Sequence, residues 1–403
     1  MRHRFMHFAL LLFGIILVLS PAACVGGLET AGTGPALQWY KILGGGKDDW
    51  GNSVKQTQDG GYIICGATTS YGAGNQDIWL IKTDAHGNKL WDKTFGSEKN
   101  EGGFSVQQTV DSGYIVCGAT DSYGAGGTDA WLVKTDASGN KLWDKTFGGV
   151  ENDIAYSVQQ TTDGGYILCG STKSQASGNN EMWLIKTDAD GNKLWDKTFS
   201  GKGWAIGSSV QQTVDGGYIA CGSTSITYPA KPSDYEVLVI KTDAVGDREW
   251  DTIIANDEQE QYKGKSVQQT IDGDYVVYAQ GRMEVFLIMV DSKGNKLWNK
   301  KYGEQPNVVD EAGNSVQQTT DGGYIVCGTG IFLFEPRRAQ PAVWLMKADI
   351  NGNEEWIRKF TGNMNAGGSS VQQTTDGGYI VCGSTKSSSK GYDILLLKIA
   401  PDK

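Results

Sequence analysis

Histidine is almost missing from this sequence: three residues in 403, with His3 and His7 inside the first seven. The third, His86, sits in a short turn segment where comparable segments carry serine, aspartate or lysine. That scarcity argues against a serine or cysteine nucleophile activated by imidazole, and against a zinc site of the histidine-rich kind. Arginine is nearly as rare. Five remain once Arg2 and Arg4 are set aside, and no run of basic residues occurs anywhere. Without those two, 34 basic residues face 46 acidic ones, a net charge of about −12 that argues against nucleic acid as a partner. Apolar residues do not recur at 3.6, so a helical solenoid is disfavoured. Beyond Leu19 no apolar run approaches the roughly 20 residues of a membrane-spanning helix.

The start of the chain is different in kind. MRHR is basic, Phe8 to Leu19 is an apolar run of twelve, and SPAAC supplies small residues. Together these read as a secretory signal peptide over residues 1–23. LSPAAC resembles a bacterial lipobox, which implies that Cys24 is lipidated and becomes the first mature residue. Plain cleavage after Ala22 or Ala23 is the alternative. VGGLETAGTGPA then reads as a flexible tether over residues 24–36. The expected location is the cell envelope or the extracellular surface, with membrane contact only through the lipid anchor or the leader.

The rest of the chain repeats itself. SVQQTTDGGYIVCG occurs at Ser315 to Gly328 and again at Ser370 to Gly383, with near copies beginning at Ser53, Ser105, Ser157, Ser209 and Ser266. Spacings of 52, 52, 52, 57, 49 and 55 residues indicate a stacked or circular repeat. Each copy holds a short alternation (SVQQT), a turn, a β-branched and aromatic run (YIVCGAT), a loop, a third run (DAWLVKTD), an AxGN turn and a fourth run (KLWDKTFG). Four meandering strands make the blade of a β-propeller. The DGG and AxGN motifs suggest two-residue hairpins in most blades.

Counting fixes the closure. The fourth run carries Trp91, Trp143, Trp195, Trp250, Trp298 and Trp356, six in all, whereas the other three runs occur seven times. The missing one lies at the other end, where LQWYKILGG (37–45) aligns with KLWDKTFGG and puts Trp39 in the seventh place. The expectation is an all-β fold: a seven-bladed β-propeller over 37–403, of four-stranded antiparallel blades, closed by the N-terminal strand completing the last blade. The outer-strand tryptophans are expected to be core, each burying about 150 to 250 Å². Cys65, Cys117, Cys169, Cys221, Cys327 and Cys382 share one place in the second strand. Neighbouring blades hold them roughly 10 Å apart, beyond the reach of about 7 Å that a disulfide allows. Six free, buried thiols follow, unusual for an exported protein and suggestive of a reducing habitat.

DGGYIVCG followed by WLIKTDASGNKLW resembles the propeller repeats of bacterial and archaeal surface proteins, particularly the delta-sixty type. More distantly, Asp84, Gly87 and Trp91 are similar to the aspartate, glycine and tryptophan of quinoprotein-like repeats. The resemblance covers about residues 37 to 400 and implies architecture; assembly lipoproteins of the quinoprotein-like group suggest a scaffold role by analogy.

For function, topology is the better guide. Turns from first to second and from third to fourth strand lie on one face of the disc, and these are uniform. Second-to-third loops and blade connections lie on the other, and these vary, as in Ile226 to Glu236, Ile253 to Lys265, Glu304 to Asn314 and Gly330 to Ala342. Loops on a rigid scaffold are where binding usually resides. Trp204, Tyr228, Tyr235, Tyr262, Phe332, Phe334, Arg337 and Arg338 are the interface-anchoring types on that face. The leading expectation is a non-catalytic binding or scaffold module for a surface protein or glycan, monomeric, with no cofactor and no metal. The alternative is a carboxylate-dependent glycosidase or polysaccharide lyase using acids such as Glu151, Asp153, Asp234, Asp257, Glu258 or Glu311. The glutamines of SVQQT lie on the innermost strand, to hydrogen-bond between blades or to bind a ligand in the channel.

Overall fold

The computed structural model describes residues 23–25, 28–175, 179–201, 203–225, 235–255, 262–281, 284–302, 315–334, 338–362, 365–386 and 391–402, with side chains apart from 23–31, 332–340 and 361–362. Every regular element among them is a strand. The strands form seven antiparallel sheets arranged as a closed ring of blades. Blade one is typical, running through Asp49–Gln56, Tyr62–Thr68, Asp77–Thr83 and Lys89–Phe95. Its second and third strands are buried along their whole length. They carry apolar residues on both faces because a neighbouring blade covers each.

The ring closes as the strand count requires. Leu37–Leu43 pairs antiparallel with Tyr392–Ile399, from Leu37 opposite Ile399 to Leu43 opposite Ile394. Blade seven thus takes three strands from the end of the chain and its outermost from the start, leaving no open edge between them. The turn that joins third to fourth strand elsewhere has no covalent counterpart here. Asp402 substitutes, accepting from Trp356 Nε1 at 2.8 Å and from the Tyr379 hydroxyl.

The stretch 24–36, expected to be a tether, is sheet over part of its length. Leu28–Gly32 pairs with Glu354–Gly362 of blade six, and Ala23–Val25 pairs in turn with Leu28–Gly32, making a six-stranded sheet. The cause lies in the edge: the outer strand of a blade offers unpaired backbone groups, and a short run without proline can take them up. Gly32, at φ +115°, and Gly34 fit against Ile357 O and the Trp356 ring, where a Cβ would overlap.

Two local details also differ from expectation. Hairpin loops in the uniform set hold three residues, one more than the motif suggested: Thr57 N donates to Gly61 O and Gly60 N to Thr57 O, with Gly60 at φ +79°. This is a type I turn followed by a left-handed residue, which glycine accepts without strain. The outer tryptophans are half-buried, apart from buried Trp356. They sit at the rim, where one side of the indole packs edge-on to the next blade's tyrosine, as in Trp91–Tyr114 at 5.8 Å, and the other meets solvent. The fully buried indoles are in the third strand, where Trp79, Trp131 and Trp183 donate to Asp92, Asp144 and Asp196 at 2.9 to 3.0 Å.

All six recurring cysteines are free and buried. Cys65, Cys382 and Cys169 pack onto Gly103, Gly51 and Gly207 in the first strand of the following blade. Thiol and glycine together set the distance between blades.

Candidate functional site

On the variable face the structure brings two of the candidate residues together. Trp204 opens the first strand of blade four and Tyr235 opens its third; their rings meet edge-on at 5.5 Å. Lys263 Nζ lies 4.8 Å from the Tyr235 centroid, within cation–π range. Tyr262 takes another role. It is fully buried, its ring 4.5 Å from Phe286 and its hydroxyl bonded to Asn299, so it belongs to the core between blades four and five. Phe332, Phe334 and Arg338 fall in the long hairpin of blade six, where Phe332 pairs with Gln340 and Phe334 with Arg338. Tyr228 and Arg337 lie outside the described residues. Cys24 pairs with Glu29 in the added sheet of blade six.

The sequence reading missed further aromatics on this face. Trp50 stacks on Tyr392 at 6.5 Å with Lys386 Nζ 5.0 Å above the Tyr392 ring, and Phe104 meets Tyr156 at 5.2 Å. Phe104 and Tyr156 are the extra residues of β-bulges in the first strands, where the register slips between Gly103 and Ser105 and between Ala155 and Ser157. A bulge re-aims its side chain. The available signal was the column just before each serine of SVQQT, in which only these two copies are aromatic.

The acids of the alternative reading are used differently. Asp153 is buried and accepts from Thr172 and Ser174 hydroxyls and from Gly149 N, holding the loop of blade three. Glu151 is exposed and paired with Lys173 at 3.0 Å. Asp234, Asp257, Glu258 and Glu311 lie outside the described residues. No group of three or more histidine, cysteine or acidic side chains suited to a metal occurs among the described residues.

A central channel of about 800 Å³ runs between the first strands, its mouth ringed by Thr57, Gln58, Thr109, Val110, Thr161, Thr162 and Thr375. Those residues belong to the uniform turns, so the cavity opens away from the variable face. Its wall explains the repeated SVQQ. The second glutamine staples its blade to the preceding one, as Gln108 Oε1 accepts from Gln58 N at 2.9 Å and Nε2 donates to Ser112 O. The first accepts from the backbone of the following blade: Gln160 N donates to Gln107 Oε1 at 2.7 Å, Gln212 N to Gln159 Oε1 at 2.6 Å, and Gln56 N to Gln372 Oε1 at 2.7 Å. Serine acts alike, with Val106 N donating to Ser53 Oγ.

A second buried polar device recurs where the hairpin meets the third strand. Lys186, 3% exposed, reaches Asp163 Oδ2 at 2.8 Å and donates to Thr187 O at 2.9 Å. The same pairing joins Lys82 to Asp59, Lys134 to Asp111, Lys241 to Asp215, Lys347 to Asp321 and Lys398 to Asp376. Partial burial pushes the Asp163 carboxyl up, but hydrogen bonds from Lys186, Thr161 and Gly165 N outweigh it and hold the group at about 2. Blade five has Met289 in the lysine's place.

No family model matches the chain. A stretch of it is 26% identical over 173 residues to the regulatory protein FlaEY of Caulobacter vibrioides, covering 37% of this chain and 18% of that protein's length. Solved structures share the fold at low identity. A protein of unknown function from Dyadobacter fermentans matches with a TM-score of 0.50 at 11% identity, over 93% of this chain and all of that one. A protein from Lactobacillus plantarum matches with a TM-score of 0.50 at 12% identity, over 83% and 96%. Chaetomium thermophilum Raptor matches with a TM-score of 0.55 at 8% identity, over 90% of this chain and 29% of that one.

Proposed function

We propose that this seven-bladed propeller is exported, anchored at the cell surface by lipid on Cys24, and binds a protein or glycan through its variable face without catalysing a reaction. The observation that carries the reading is the Trp204, Tyr235 and Lys263 group, two edge-packed rings with a cation over one of them. Partly exposed aromatic faces beside a cation suit sugar rings and protein hot spots alike. The resemblance to delta-sixty and quinoprotein-like surface propellers, and the leader with its LSPAAC ending, support location at the envelope.

Capture from envelope extracts and binding to a glycan panel test the face. Trp204→Ala combined with Trp50→Ala is expected to weaken capture at least tenfold while the melting temperature stays within a few degrees. Undiminished capture would place the partner elsewhere. For the anchor, Cys24→Ser is expected to abolish incorporation of radiolabelled fatty acid and release the protein from the membrane fraction.

A further inference from the structure

The glutamine ring of the channel has one break in its symmetry. Six of the seven first-strand positions that precede the stapling glutamine are glutamines: Gln107, Gln159, Gln211, Gln268, Gln317 and Gln372. The seventh is Lys55. Each of the six receives a backbone N–H from the next blade on its Oε1, at 2.6 to 2.7 Å. An N–H can be met only by the oxygen of the amide, so the orientation of all six is fixed. Their Nε2 groups, lining the channel, have no protein partner among the described residues. The wall at this level therefore offers amide donors while its amide acceptors are engaged.

Lys55 adds an ammonium to that ring. It lines the channel and has no ion-pair or hydrogen-bond partner among the described residues. A lysine side chain cannot accept, so Gln108 N, whose counterparts all donate to a glutamine, has no side-chain oxygen to receive it at position 55. None of the residues lining the channel is acidic, although the chain as a whole has a net charge of −10. The substitution gives up a hydrogen bond and confines a positive charge in a narrow cavity, and confinement away from bulk water lowers the Lys55 ammonium below its usual range. An anion beside it would relieve that cost.

We propose that the central channel is an oxyanion-binding site, in which Lys55 and the inward amide groups of the six glutamines receive a small carboxylate or phosphate entering from the uniform face. The site is independent of the variable face. Charge-assisted hydrogen bonds from Nζ supply the affinity, and the amides supply additional donors without a competing acceptor. A cavity of about 800 Å³ has room for a ligand of several heavy atoms beyond the anionic group.

The test uses the mature protein with inorganic phosphate, citrate and glucuronate, followed by calorimetry and thermal unfolding at constant ionic strength against chloride. At least one of the three is expected to bind saturably and raise the melting temperature. Lys55→Gln rebuilds the repeat: it is expected to raise the melting temperature without anion by about 1 to 3 °C, through the restored bond to Gln108 N, and to weaken anion binding at least tenfold. Lys55→Met removes the charge without restoring an acceptor and is expected to lose binding with no gain in stability. Absence of saturable binding by all three anions overturns the proposal, as does binding that survives in both variants. Distinct responses to phosphate and to the two carboxylates identify the class of anion.

Discussion

Each recurring pair of a third-strand lysine and a hairpin aspartate, a buckle between strand and turn, gives a double-mutant test in which the two halves of one ion pair should behave unequally. In the Lys186–Asp163 pair the lysine is 3% exposed and the aspartate 57% exposed. Asp163→Asn keeps an oxygen for Thr161 and Gly165 N but strands an ammonium in the interior, a change that costs about 3 kcal/mol. Lys186→Met leaves behind a carboxylate that water can reach and one carbonyl, Thr187 O, short of a donor, a loss of about 1 kcal/mol. The ring already accepts methionine in this place at Met289, which is 6% exposed. The double variant should cost no more than Lys186→Met alone, a coupling of about 3 kcal/mol. The pH dependence follows from the aspartate, whose carboxyl sits at about 2 in place of its ordinary 3.8. A depressed carboxyl contributes stability that is fully present above about pH 4 and fades as the pH falls through 2. Taken whole, that shift would be about 2.4 kcal/mol, but screening at this exposed carboxylate reduces it to about 1. Denaturant unfolding of the four proteins at pH 6 and pH 2.5 reads all of this. A Lys186→Met loss equal to or larger than that of Asp163→Asn would refute the assignment of the cost to the buried ammonium.

Three further outcomes are expected. Ser112 is the one non-glycine residue with positive φ, at 65°, among the described residues, in a place that glycine fills in the other six hairpins; Ser112→Gly should raise stability by about 1 kcal/mol, read as a higher melting temperature. Trp39→Ala removes the ring that packs on Tyr62 at 5.9 Å and should cost about 2 to 3 kcal/mol, with amide exchange rising along Tyr392–Ile399; protection unchanged there would contradict the closure role. The thiols should resist a disulfide exchange reagent at pH 8 in the native protein and react fully in denaturant, because burial raises them all, Cys382 to about 12.

Blade number, strand order and the exchange of termini were legible because they rest on counting. Seven copies of three runs and six of a fourth leave one arrangement that closes. The lysine buckles were not legible, since lysine in a strand such as WLIKTD reads as exposed and its partner, in DGG, lies 23 residues away for Lys186 and Asp163. The aromatic pairs at the bulges were hidden for another reason. A bulge shifts register by one residue, and alternation read from sequence then assigns the side chain to the wrong side. Residues 28–32 hold only five positions of weak strand character, so their pairing is decided by the free edge of blade six and not by their own composition. At the site, Trp204 and Tyr235 were recognisable by type and loop position, whereas burial of Tyr262 depends on Phe286, more than twenty residues along the chain in the third strand of the same blade. Lys55 is visible as a departure from SVQQ, but the backbone N–H that its glutamine counterparts accept comes from the next blade and is not written in the repeat.

Pairing Leu37 with Ile399 also makes the ring a check on completeness. The strand that finishes blade seven, Leu37–Leu43, is made long before its partner Tyr392–Ile399 and stays unpaired until that partner follows. A product lacking Tyr392–Ile399 would leave Leu37–Leu43 unpaired and open the edge of Tyr379–Lys386 as well. In such a molecule the backbone groups that lock the ring would be open to proteolysis and to pairing with other chains. Only a chain that holds both Leu37–Leu43 and Tyr392–Ile399 can hide them.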